Sequence, residues 1–213
     1  MKIIFQDVLP KPLQSMSHDS SSIWSSNTTL LEGTKIQVTA RSGRGKSTLI
    51  SLLYGIRNDY EGVILFDNNP IKEFSVKDWC SIRREKISIV FQDLQLFPNL
   101  TVFENIQLKN EICSTFTHTQ LYEMLERVGL KEKTNVICGQ LSIGQQQRVA
   151  ILRALCQPFS WILLDEPFSH LDRETSKDCF TLIQEVCEIQ RAGILITSLG
   201  DDIDFSMERE IYI

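Results

Sequence analysis

Two short stretches carry residue types that can do chemistry. The first is ARSGRGKST, Ala40 to Thr48, which follows the phosphate-cradling pattern G-x-x-x-x-G-K-[ST] except that alanine takes the first glycine position. Consecutive N–H groups at a helix start form a nest for an anion, and Gly43 and Gly45 let the backbone curl close without a Cβ in the way. Lys46 supplies a point charge for β- and γ-phosphates, and the Ser47 hydroxyl can ligate Mg²⁺. Position 40 is the exit from a strand, not one of the wrapping amides. If that exit must be left-handed, alanine costs about 1–2 kcal/mol there, which weakens binding without abolishing it. The second stretch is ILLDEP, which sets Asp165 and Glu166 at the end of an apolar run. In an open α/β sheet, ligands bind at the C-terminal ends of such strands. A metal-associated aspartate followed by a glutamate that polarises water is what nucleotide hydrolysis requires.

The elements around these stretches must hold them together. KIQVTA (35–40) alternates and reads as a strand, and STLISLLYGI (47–56) follows with helical spacing, so the loop lies between strand and helix. EGVILFDNNPI predicts a hairpin turned at Asn68, Asn69 and Pro70, and EKISIVFQ (85–92) a buried strand. THTQLYEMLERVGL (117–130) is amphipathic, with Thr119 as a cap and Gly129 as a stop. QQQRVAILRALC (145–156) and RETSKDCFTLIQEVCEIQRAG (173–193) read as helices, and SWILLDEP (160–167) and ILITSL (194–199) as strands. The serine-rich segment 13–29 reads as a loop or a pair of irregular edge strands. Apolar strands alternating with helices predict an α/β fold with a mostly parallel sheet covered on both faces.

Composition narrows the class. The chain has 213 residues, 42% hydrophobic and 23% charged, with a formal net charge of -5. That suits an ordinary globular chain with one substantial core and argues against a broad nucleic-acid footprint. No run is long enough to cross a bilayer, and the N-terminus is too polar for a secretory signal, so the expected location is cytoplasmic. Six scattered cysteines, without a C-x-x-C pair, read as small buried thiols in a reducing compartment.

A third stretch, LSIGQQQR (141–148), completes an order of motifs. ARSGRGKST, then Gln92 in IVFQDLQLFPNLTVFENI, then LSIGQQQR, ILLDEP, SHLD (169–172) and LITSLG resemble, in this order, the ATP-binding-cassette (ABC) ATPases. The resemblance spans nearly the whole chain. It implies one nucleotide-binding domain over 1–213: a P-loop core of about 1–92 and 141–213, a small antiparallel β subdomain, and an inserted helical lobe of about 93–140. It further implies that Ser42, Gly43, Arg44, Gly45, Lys46, Ser47 and Thr48 bind ATP, that Ser47, Gln92 and Asp165 serve Mg²⁺, and that Glu166 is the general base with Gln92 and Ser198 at the reacting phosphate. Ser142, Gly144 and Gln145 would meet the γ-phosphate held by an opposite subunit, and Asp172 would lie at that interface. The partners implied are a second copy, packed head to tail around ATP, and an integral membrane permease that the Leu96–Leu100 run could contact.

The sequence departs from that family at four places. Ala40 and Ile143 replace glycines, at positions whose loss is tolerable. Ser198 stands where the family has a switch histidine, and a serine hydroxyl donates a hydrogen bond but carries no charge. Losing such a donor lowers turnover on the order of a hundredfold, so slow hydrolysis is expected. No aromatic residue stands clearly at the family's adenine-stacking position upstream of the loop, for which Trp24 and His18 are the candidates. Two functions follow: the ATPase subunit of a transporter or envelope complex, or a module that dimerises on ATP and regulates a partner with negligible turnover. A soluble cassette acting on DNA or ribosomes fits poorly with the acidic balance.

Overall fold

The structure is a computed structural model and describes residues 1–16, 22–40, 43–198 and 205–213. Its elements run β1 (Ile3–Pro10), β2 (Thr28–Leu30), β3 (Lys35–Thr39), α1 (Lys46–Leu53), β4 (Tyr60–Phe66), β5 (Asn69–Pro70), α2 (Val76–Glu85) and β6 (Ile87–Val90) in the first half. They continue with α3 (Val102–Cys113), α4 (His118–Arg127), α5 (Ile143–Leu155), β7 (Trp161–Asp165), α6 (Arg173–Gln190), β8 (Gly193–Ser198) and β9 (Arg209–Tyr212). The larger sheet has the order β6-β7-β8-β3-β9, and every neighbouring pair is parallel. The smaller one, β2-β1-β4-β5, is antiparallel. The fold is the expected α/β arrangement with a P-loop core and a small antiparallel sheet.

Alternation along the central strands shows why that sheet is buried on both faces. Ile162, Leu164, Ile194 and Ile196 pack into one core with α3, α4, α5 and α6. Their neighbours Trp161, Leu163 and Leu195 point the other way, into a core shared with α1 and the antiparallel sheet. A strand that feeds both cores reads as a continuous apolar run, as WILL does. Truncating one of these side chains to alanine would cost about 2–5 kcal/mol.

Helix starts are set by local chemistry. Ser75, Thr101, Thr117 and Ser142 each form a reciprocal capping box with the residue three positions on, and Asp172 caps α6 through the Thr175 N–H. The cap of α4 is therefore Thr117, not Thr119, because Gln120 lies three residues after Thr117, whereas Tyr122 is the corresponding partner of Thr119. The hairpin also turns earlier than expected. Phe66 pairs with Asn69, so Asp67 and Asn68 form the turn, with Asp67 at φ 55°. Of the six thiols, Cys138, Cys156, Cys179 and Cys187 are buried, Cys113 is partly covered, and Cys80 is exposed, contrary to a uniformly buried set.

Candidate active site

The order of strands, not the order of the chain, assembles the site. β6, β7, β8 and β3 are adjacent and parallel, so their C-terminal ends deliver Gln92, Asp165 with Glu166, Ser198, and the loop after Ala40 to one edge. In register, Asp165 faces Thr197 and Thr39 faces Ser198.

The loop ends in Gly45, at φ 110°, which starts α1 without a side-chain cap. The other five helices begin with a capping side chain, so the first-turn N–H groups of α1 are the ones left for an anion. A Cβ on Gly45 would come to 2.6 Å from Leu13 Cδ1, so the loop lies pressed onto the core. At Gly43, φ 77°, a Cβ would meet no described residue within 4 Å. Ser47 is exposed and Thr48 half-buried in the first turn of α1, and Arg44 is exposed. Ser42 lies outside the described residues, as does His18.

Lys46 is buried, with only 6% of its side chain exposed. Its ammonium donates to the Ala40 carbonyl at 2.9 Å and pairs with Glu166 Oε1 at 3.3 Å. Gln92 Nε2 reaches the other carboxylate oxygen at 3.5 Å. Glu166 sits in a left-handed conformation, φ 48°, which a non-glycine residue holds only where its surroundings fix it. Two contacts do so here: its N–H donates to Thr197 Oγ1 at 3.1 Å, and its carbonyl accepts from Gln147 Nε2 at 3.2 Å. Thr197 in turn donates to Asp165 Oδ1 at 2.8 Å. Thr197 and Gln147 thus hold the acidic turn in place, and both are absent from the sequence-based expectation. For Gln147 a signal existed: a polar residue on a helix face that also carries Ala150, Ile151 and Ala154, all buried.

The remaining expected residues lie elsewhere on the chain. Ser142 is exposed at the start of α5, where its Oγ accepts from the Gln145 N–H and Gln145 Oε1 accepts from its N–H. Gly144 packs against the 169–170 turn, where an added Cβ would come to 2.7 Å from the His170 carbonyl. Asp172 is exposed at the start of α6, and the Thr175 N–H and hydroxyl hold its carboxyl below the ordinary value. Among the described residues no hydrogen bond or ion pair joins these positions to the loop of their own chain. Trp24 is buried, with its Nε1 unpaired, so its ring serves the core and offers no open face to a base.

The residues at the sheet edge fit a nucleotide and a hard divalent cation. Uncapped amides and one ammonium suit phosphate. The Ser47 hydroxyl, Gln92 amide and Asp165 carboxylate are the oxygen donors that Mg²⁺ prefers. Fold and site together define a P-loop nucleotide-binding cassette.

Comparison with known proteins agrees. The family model for ABC transporters matches residues 24–169, and the chain belongs to that family of ATP-binding cassettes. It is 35% identical over 169 residues to the ABC transporter ATP-binding protein YtrE of Bacillus subtilis, covering 78% of this chain and 73% of that one. It is 37% identical over 164 residues to the lipoprotein-releasing system ATP-binding protein LolD of Buchnera aphidicola, covering 76% and 72%. The dimeric structure of MJ0796, a bacterial ABC transporter cassette, superimposes with a TM-score of 0.80 at 29% identity, covering 99% of this chain and 94% of that one. The same cassette, in a dimeric post-hydrolysis state bound to ADP and Pi, matches with a TM-score of 0.80 at 28% identity.

Proposed function

We propose that this chain is the ATP-binding and ATP-hydrolysing subunit of an ABC transporter or related envelope complex. The observation that carries the reading is the Lys46–Glu166 pair, 3.3 Å apart where four parallel strands end. A phosphate-binding ammonium and a water-activating carboxylate share the place where a terminal phosphate would react.

In this reading residues 42–48 hold the triphosphate through backbone amides, Lys46 and the Ser47 and Thr48 hydroxyls. Ser47, Gln92 and, through water, Asp165 would hold Mg²⁺, which would supply positive charge to offset that of the phosphates. Glu166 takes a proton from the attacking water, Gln92 orients that water, and Ser198 donates to a phosphate oxygen as charge develops. Serine in place of a cation makes turnover slow.

Among the described residues, the exposed Ser142, and Gly144 and Gln145 beside it, make no hydrogen bond or ion pair to the 43–48 loop of their own chain. That supports a head-to-tail dimer in which each copy completes the other's site, with Asp172 at the interface. No helix among the described residues is long and apolar enough to cross a membrane. In this reading the energy passes to a separate permease, at the inner face of the cell membrane, through the 93–140 lobe. Phe97, 54% exposed beside the half-buried Leu96, supports contact there.

The uncharged Ser198 favours a second reading, an ATP-dependent dimerising regulator with negligible hydrolysis. Steady-state ATPase and light scattering of the purified chain separate the two. Slow turnover, lowered about a hundredfold or more by Glu166→Gln with an ATP-bound dimer accumulating, supports the enzyme. ATP-driven dimerisation without turnover in the unmodified chain supports the regulator.

A further inference from the structure

Ser198 is not a lone hydroxyl at the end of β8. Gln37, on the neighbouring strand β3, donates from Nε2 to Ser198 Oγ at 2.9 Å. Gln37 lies opposite Ile196 and Thr39 opposite Ser198, so Gln37 and Ser198 project from one face of the sheet. Both line a cavity of about 310 Å³ whose walls also include Glu166, Thr197, Phe168 and Phe205. Gln37 is half-buried on this face, whereas its neighbours Ile36 and Val38 point into the core on the other.

We propose that Gln37 is a positioning residue, fixing the Ser198 hydroxyl as a hydrogen-bond donor toward the reacting phosphate. A serine hydroxyl has one proton and two lone pairs. With one lone pair occupied by the Gln37 N–H, the proton points away from Gln37, and the cavity beside Glu166 is open to it. A free hydroxyl would rotate among several directions, and Gln37 narrows that choice, supplying part of the order that a larger side chain at position 198 would bring. The inference rests on the roles given above to Ser198 and Glu166.

The test is steady-state ATPase with kcat and KM resolved, and calorimetric ATP affinity, for the unmodified chain, Q37M, S198A and the double variant. Q37M should lower kcat about tenfold and leave KM and ATP affinity within about twofold, as expected for an interaction made only in the transition state. The double variant should be no slower than S198A, because the amide acts through the hydroxyl. Q37E exchanges the donor for an acceptor that draws the serine proton back, and it should reproduce the loss. It carries the test should Q37M not fold. A Q37M kcat equal to that of the unmodified chain, or a further loss of the same size in the S198A background, overturns the inference and leaves the ATPase reading standing. Absence of any turnover sensitive to Glu166→Gln removes both together.

Discussion

The Lys46 ammonium and the Glu166 carboxylate form a 3.3 Å ion pair across the C-terminal edge of the parallel sheet, with Lys46 also held by the Ala40 carbonyl at 2.9 Å. Both partners are largely out of water, at 6% and 15% side-chain exposure, so each is the other's main compensation for lost solvation. In the proposed function, the residue that would bind phosphate and the residue that would activate water neutralise one another in the nucleotide-free protein. A phosphate in the loop competes with Glu166 for Lys46 and frees the carboxylate.

That coupling is measurable in the nucleotide-free protein. Lys46→Met strands a largely buried carboxylate and should lower unfolding free energy by about 1–3 kcal/mol. Adding Glu166→Gln should recover part of the loss. Urea denaturation of the two single variants and the double gives the interaction energy, and strictly additive losses would show that the pair is not coupled.

Thr197 ties together the two acidic residues, donating to Asp165 Oδ1 at 2.8 Å and accepting from the Glu166 N–H at 3.1 Å. Thr197→Val keeps the shape and removes both bonds, leaving polar groups unpaired at a buried position. Stability should fall by about 1–3 kcal/mol and ATPase activity with it, while Thr197→Ser should retain most of both. Equal behaviour of the two variants in urea melts would rule out the hydroxyl as the cause.

Gly144 and Ile143 should differ sharply in their tolerance of alanine. At Gly144 the new methyl comes to 2.7 Å from the His170 backbone carbonyl, and shifting that turn should cost about 1–3 kcal/mol. Ile143 is 49% exposed in the first turn of α5, so Ile143→Ala should stay within about 0.5 kcal/mol. Thermal unfolding of both variants is the check; an unchanged Gly144→Ala would mean the turn yields freely.

The thiols should divide by burial. Desolvation pushes Cys156, Cys179 and Cys187 up to about 12, from the ordinary 9.0, and Cys138 to about 11. Iodoacetamide at neutral to mildly alkaline pH should therefore label Cys80 in the folded protein and reach these four only after denaturation. Between pH 9.0 and about 12 the unfolded chain holds fewer protons on these thiols than the folded one, so stability should fall as pH rises through that window. Mass spectrometry of labelled peptides tests the first statement and urea midpoints across that alkaline range the second. Native labelling of Cys156 at the rate of Cys80 would contradict both.

Several elements left too weak a trace to read. α2 buries none of its residues fully, and its apolar face is narrow, with Trp79 and Ile82 partly covered and Val76 exposed. β1 breaks its alternation at a bulge between Gln6 and Leu9, where Asp7 takes φ 49°. β9 is four residues long with one of them buried. The cap of α4 was legible in principle, since a capping box needs Gln or Glu three residues on, and Thr117 meets that condition where Thr119 does not.

What the sequence determined by itself was local: the small-residue turn at 43–48, the apolar strand ending in Asp165 and Glu166, the helix periods and caps. Each depends on neighbours within a few positions, where backbone sterics and side-chain spacing decide the outcome. Only the tertiary structure decided that Lys46 meets Glu166, that Thr197 bridges Asp165 to the Glu166 backbone, that Gln147 holds the Glu166 turn, and that Gln37 engages Ser198. Those pairs lie on strands and helices distant in the chain. They become neighbours because the sheet orders its strands β6-β7-β8-β3 to bury apolar surface on both faces, and that order is a property of the packed whole.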